Sequence, residues 1–191
     1  MAKSTHDAGN NILYDNRIIY FNGKFNEDKV KEVIQQLFQL ELKDFQKDII
    51  MIIDSYGGQI HSFLALYDVI HMLRCDVATV AIGKAMSCGQ MLLMCGAKGK
   101  RFATRNTRIL MHEMEAGTIG KLSGIEADAE EFHNLNHILI DIIVENSKIK
   151  KKEAKEYLEN ENYMSPTDAQ RLGIIDHIIY DRDDLYNYVK V

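Results

Sequence analysis

Two uninterrupted apolar runs, with an amphipathic segment between them, leave this chain few folds to choose from. Asp48-Ile49-Ile50-Met51-Ile52-Ile53 has no polar residue after its first, and Val77-Ala78-Thr79-Val80-Ala81-Ile82 is built of small and β-branched residues. A half-exposed strand alternates polar and apolar positions. These runs do not alternate, so both read as strands covered on both faces. Between them, Ile60, Phe63, Leu64 and Tyr67 begin a helix that continues to about Leu73. Strand, helix and strand in that order make a βαβ unit, and such units stack over a largely parallel sheet.

The remaining pattern extends the same alternation. Residues 1–13 read as a mobile arm, and Arg17-Ile18-Ile19-Tyr20-Phe21 reads as a strand that ends at Asn22-Gly23. Val30, Val33, Ile34, Leu37 and Phe38 have helical spacing. Gly57-Gly58 breaks the chain after the first apolar run. Cys88 to Cys95 reads as a short helix rich in Met and Leu, and Arg108 to His112 as a short strand. Ser123 and Glu126 have the spacing of a capping box, so a long helix should open there and run to about Glu145. A further helix should cover Lys151 to Leu158. Ser165-Pro166-Thr167-Asp168 marks a helix start, Gly173 its end, and Ile174 to Tyr180 a last strand.

Composition removes several classes of function. The 191 residues suffice for a sizeable core, and 46% of them are hydrophobic, so the chain is globular. The net charge of -5 comes without a basic stripe, which argues against nucleic acid as a partner. No apolar run approaches the roughly 20 residues of a membrane span, and residues 1–10 lack the apolar core of a secretory signal. The three cysteines, Cys75, Cys88 and Cys95, follow no metal-ligand spacing. An odd number of thiols in apolar contexts implies a reducing, cytoplasmic compartment. No phosphate-binding Gly-x-x-x-x-Gly-Lys-Ser/Thr occurs, so no nucleotide cofactor is expected on this chain.

The residues with the most chemistry lie in Gly83-Lys84-Ala85-Met86-Ser87-Cys88-Gly89. A serine between a strand and a helix has its hydroxyl near the positive end of the helix dipole, and small neighbours admit a substrate backbone. That suits a nucleophile. A serine in that place also serves as an ordinary helix cap. Gly57-Gly58 can supply backbone amides to a developing oxyanion, or form a simple turn. His112, 25 positions after Ser87, is either a base or a satisfied strand histidine.

Taken together these segments resemble the Clp protease proteolytic subunit family (ClpP). Asp54-Ser55-Tyr56-Gly57-Gly58 is similar to its Ser-Pro-Gly-Gly strand end, and Gly83 to Gly89 to its nucleophile motif. Gly96-Ala97-Lys98-Gly99-Lys100-Arg101-Phe102 resembles its Gly-Ala-Lys-Gly-Lys-Arg segment, and Arg108 to His112 its histidine strand. Tyr163-Met164-Ser165, Asp168-Ala169 and Leu172 to Asp176 resemble its C-terminal signature. The resemblance implies an α/β, ClpP/crotonase-like stack of βαβ units, with residues 14–191 as one peptidase domain. A handle at about 116–147 would protrude from it. It implies a serine endopeptidase with Ser87 as nucleophile and His112 as general base. The amides of Gly58 and Cys88 would form the oxyanion hole. It further implies heptameric rings, single or stacked as a tetradecamer, axial loops from the arm, and a hexameric AAA+ unfoldase that uses ATP and feeds in unfolded chains. Met91 to Met94 would line an apolar substrate pocket or a subunit contact, or pack in the core.

Several positions depart from the family pattern. Glu161 stands where the family has its third catalytic residue, an aspartate, four positions before Ser165. A glutamate can orient a histidine equally, with a longer reach. Asp168 and Asp176 are weaker candidates, since each has an ordinary structural reading. Tyr56 replaces a proline, which predicts a looser oxyanion loop. Cys88 replaces methionine and puts a thiol, open to oxidation, beside the nucleophile. Glu159-Asn160 replaces an Asp-Arg pair that joins rings in the family, and Glu113-Met114 replaces Gln-Pro after the histidine. These changes leave room for a second function, that of a catalytically weak or inactive ring subunit with a structural role. The crotonase group, which acts on acyl thioesters, shares the fold. The Ser87/His112 pair and the Gly96–Phe102 segment argue against it.

Overall fold

The computed structural model describes residues 12–181 and 183–190. Its frame is a seven-stranded sheet. Strands β1 (Ile18–Phe25), β2 (Ile49–Gly58), β3 (Val77–Met86), β4 (Arg101–Thr104) and β7 (His177–Ile179) lie side by side in that order, all parallel. Strand β5 (Arg108–Met111) pairs in parallel with the end of β3, and β6 (Asn162–Met164) pairs antiparallel with β5. The helices are α1 (Glu27–Lys43), α2 (Ile60–Met72), α3 (Cys88–Met94), α4 (Leu122–Asn146), α5 (Lys151–Leu158), α6 (Pro166–Arg171) and the short α7 (Asp183–Tyr186). The fold is the mixed α/β stack of ClpP/crotonase type.

The two apolar runs are buried on both sides, as their lack of alternation requires. Successive strand residues point to opposite faces. Ile49, Met51 and Ile53 enter the main core with Val33 and Leu37 of α1, Phe63 and Leu66 of α2, and Leu92 of α3. Ile50 joins a smaller core on the other face with Ala78, Val80, Phe102, Ile179 and Val189 near the chain's end.

Buried charges tie the strands together where apolar contact cannot. Arg17 is held at φ 60 and donates to the carbonyls of Leu40, Lys47 and Asp48. Lys100 bridges Asp48 at 2.6 Å and Asp76 at 2.8 Å. Arg101 grips Asp176 at 2.7 Å and also donates to the Asn146 carbonyl. A Cβ on Gly96 would collide with the Thr79 side chain. The Gly96–Phe102 segment is therefore a structural hub that docks β4 and the segment before β7.

Several expected boundaries move. β1 passes through Asn22-Gly23 to Phe25, because Gly23 takes φ 95 within a register shift that lets pairing resume. Gly57-Gly58 does not break the chain; it remains paired with Lys24 and Phe25. The capping box at Ser123/Glu126 is not formed. The first turn of α4 closes on the Lys121 carbonyl, with Gly124 and Ile125 donating, and this places Ser123 inside the helix. Strand β7 is shorter than Ile174–Tyr180, because the amides of Ile174 and Ile175 donate to Ala169 in the turn after α6. The expected arm falls largely on residues 1–11, outside the described residues; 12–15 form a helical turn.

Burial pushes the Asp176 carboxyl up, but its hydrogen bonds and pairing with Arg101 outweigh this and hold it below its ordinary value. A depressed folded value stabilises the native state above the unfolded pKa of about 3.9, and that stability is lost as pH falls through the folded value. Asp176→Asn should therefore cost about 3 kcal/mol at neutral pH, as for removal of one partner of a buried pair. In urea titrations the gap between variant and wild type should close as pH drops below about 4.

Candidate active site

Ser87 follows β3 and precedes α3, and its backbone has φ 52 and ψ -125. A non-glycine residue in such a region costs of order 1–3 kcal/mol and needs its surroundings to hold it there. The Ser87 amide donates to the Leu110 carbonyl of β5 at 3.0 Å, and its carbonyl accepts from Met91 at 3.0 Å. Its side chain caps nothing. The position is that of a cap, but the side chain does not cap the helix and instead neighbours the Cys88 thiol.

Gly57 makes this possible from the other side. A Cβ built on Gly57 would lie 2.7 Å from the Ser87 Cβ and 3.1 Å from its Oγ. Gly57 also takes φ 104, a conformation that favours glycine. Ser55, completely buried, organises the bend. Its Oγ donates to the Gly23 carbonyl at 2.6 Å and accepts from the Gly57 amide at 3.0 Å. The Cys88 amide occupies the first position of α3, where no intrahelical acceptor exists. The Cys88 thiol donates to the Gly58 carbonyl at 3.4 Å and so links the two candidate oxyanion residues.

His112 is placed by strand pairing. Met86 lies beside Leu110 in the β3–β5 ladder, which brings the end of β5 to the Ser87 turn. Met111 lies opposite Asn162 across the antiparallel β5–β6 pair, which brings His112 to Glu161. The imidazole Nδ1 is 3.2 Å from Glu161 Oε1. His112 is largely covered, while Glu161 is 64% exposed. Glu113 is exposed to solvent. Asp168 instead caps α6 through Ser165, and Asp176 is committed to Arg101.

Ser87, Cys88, Gly57, Gly58 and His112 all line one cleft of about 1100 Å³. Its further wall is apolar and includes Val30, Ile34, Met91 and Leu139. Met91 reaches the cleft, whereas Leu92, Leu93 and Met94 are fully buried core residues. Ser55, the steric role of Gly57 and the Leu110 carbonyl were not apparent from sequence. Each acts through backbone contact with a distant segment, which leaves no local pattern.

A family model described as Clp protease matches residues 2–182 of the 191. The match takes in the whole of the cleft and its supporting sheet, and the chain belongs to the Clp protease family. It is accordingly a ClpP-like peptidase. No helix among the described residues is long and apolar enough to cross a membrane.

The Cys88 thiol beside Ser87 is buried, which works against its reactivity. Burial pushes the Cys88 pKa up to about 11, and burial likewise raises Cys95. Thiolate is the alkylated and oxidised species, so a raised value suppresses both reactions. Native protein treated with iodoacetamide at pH 8 should show unmodified Cys88 and Cys95 by peptide mass spectrometry. Both should react once the chain is unfolded.

Proposed function

We propose that this chain is an active serine endopeptidase subunit that cuts unfolded polypeptides to short peptides within an oligomeric chamber. In this reading the Ser87 hydroxyl attacks the scissile carbonyl while His112 Nε2 takes its proton. The amides of Gly58 and Cys88 donate to the oxygen as it gains negative charge. The protonated imidazole then gives its proton to the departing amine, leaving an acyl ester on Ser87. Water, deprotonated by His112, releases the second product. Glu161 accepts the Nδ1 proton of His112, which holds the ring in the required tautomer and orientation.

The observation that carries the proposal is the strained backbone of Ser87, pressed beneath Gly57, in the same cleft as His112. Strain of this kind is stored at functional sites. The exposure of Glu161 supports a smaller role for the acid than a buried carboxylate would have, since solvent screens its charge.

Assembly is proposed on the shape of α4. Its first buried residue is Leu135, so the first half of the helix stands clear of the core. That half and the segment before it expose Ile119, Leu122 and Ile125. Such a projecting apolar edge suits contact between subunits in heptameric rings, single or stacked. Asn160, in place of the family's arginine, closes on the Glu156 carbonyl at the end of α5, so ring stacking would rest on this helix instead. ATP belongs, in this reading, to a hexameric unfoldase partner, and the chain works in the cytoplasm.

A fluorophosphonate probe should label Ser87 in the assembled particle. Ser87→Ala should lower peptide cleavage by at least about 10³-fold. Glu161→Gln should slow cleavage about 10- to 100-fold and leave the ring mass unchanged. Absence of labelling, with the ring intact, would assign the chain the structural role.

A further inference from the structure

The strand that carries Gly57 and Gly58 loses its regular pairing just before it reaches them. Against β1, Asn22 pairs with Asp54 and Lys24 with Gly57, so two steps along β1 match three along β2. Against β3, Ile53 pairs with Ala81 and Ser55 with Ala85, so two steps along β2 match four along β3. The ladder with β3 therefore slips across Asp54 and the ladder with β1 directly after it. Pairing resumes at Ser55 with Ala85 and at Gly57 with Lys24, so the new register has to be held at the level of the slip itself.

Side chains take over at that level. Asp54 receives a hydrogen bond from each neighbouring strand. Lys84 Nζ of β3 donates to Oδ1 at 2.5 Å, and Asn22 Nδ2 of β1 donates to Oδ2 at 3.4 Å. The Lys84 ammonium also stands 4.6 Å from the ring centre of Tyr56, the residue directly before Gly57. Lys84 lies in the bulged stretch of β3, three residues before Ser87. One ammonium thus touches the strand of the amide donor on two sides and belongs to the strand of the nucleophile. Its hydrogen bond to Asp54 raises its own pKa, in keeping with a standing pair.

We propose that Lys84 and Asp54 are positioning residues that fix the spacing between the oxyanion strand and the nucleophile turn, with Tyr56 as the second hold of Lys84. The inference rests on the peptidase reading above. Neither side chain touches substrate. They act through the backbone of residues 55–58, which must present Gly58 at hydrogen-bond distance from the oxygen of the tetrahedral intermediate. A ground-state carbonyl makes little use of that distance, and the transition state depends on it. Loss of the clamp should therefore reduce kcat and spare KM. The expectation that Tyr56 loosens this loop is replaced by one in which its ring gives Lys84 something to hold.

The test is steady-state cleavage of a fluorogenic peptide by the assembled particle. Lys84→Met should lower kcat about tenfold, with KM within about twofold of wild type. Lys84→Arg, which keeps the charge and the stacking, should recover most of the loss. Asp54→Asn should resemble Lys84→Met, and the double variant should lose little more than either alone, since the two act as one unit. Hydrogen exchange gives a readout that needs no catalysis: amides of residues 55–59 should exchange faster in Lys84→Met, with the rest of the sheet unchanged. Unchanged kcat in Lys84→Met, a loss confined to KM, failure of the Arg variant to recover, or unaltered exchange at 55–59 would each overturn the clamp. An inert wild type would overturn the peptidase reading, and the exchange measurement would still decide whether the clamp exists.

Discussion

The close contact between Gly57 and Ser87 is the constraint on which the site depends. A side chain at 57 would have to pass through the serine it faces. Without that contact, and without the Leu110 carbonyl on its amide, Ser87 would relax from φ 52 to an ordinary helix cap. The cost of order 1–3 kcal/mol is small beside what the core supplies. The strain also has a local origin. It arises where β2, β3 and β5 converge, at the one level of the sheet where β3 leaves β4 and takes β5 as its neighbour.

That change of partner explains why the cleft lies where it does. β3 pairs with β4 through Thr79 to Ala81 and with β5 through Lys84 to Met86, with Gly83 at φ 62 between the two. The first half belongs to the buried frame, held by Arg101, Lys100 and the apolar runs. The second half leaves the frame and brings β5 and β6 with it, and with them His112 and Glu161. A rigid frame thus supports a smaller sheet whose register determines which acid meets the histidine.

Long periodic segments were legible in the sequence. Lys151–Leu158 forms a helix over the span expected, and Ser165 caps α6 with Asp168 answering. The places of Ser87 and His112 in one cleft and the pairing of Glu161 with the histidine followed motif position. Two of the short strands were not legible. β4 and β6 are four and three residues long, too short for any period to register, and they exist because a neighbour offers a free edge. The slip of both ladders around Asp54 was invisible for a related reason: a bulge is a relation between two strands, and neither strand alone records it. Glycines 23, 57 and 58 were read as breaks, because glycine usually ends a strand. Here it lets strands continue past irregular register.

The proposed chemistry is tested most directly by a crystal structure of the assembled particle with a phosphonate bonded to Ser87. The phosphonyl oxygen stands in for the oxyanion of the tetrahedral intermediate. The account places that oxygen about 3 Å from the amide nitrogens of both Gly58 and Cys88, with His112 still within hydrogen-bond reach of Glu161. An adduct whose oxygen turns to solvent, with neither amide in reach, would contradict it.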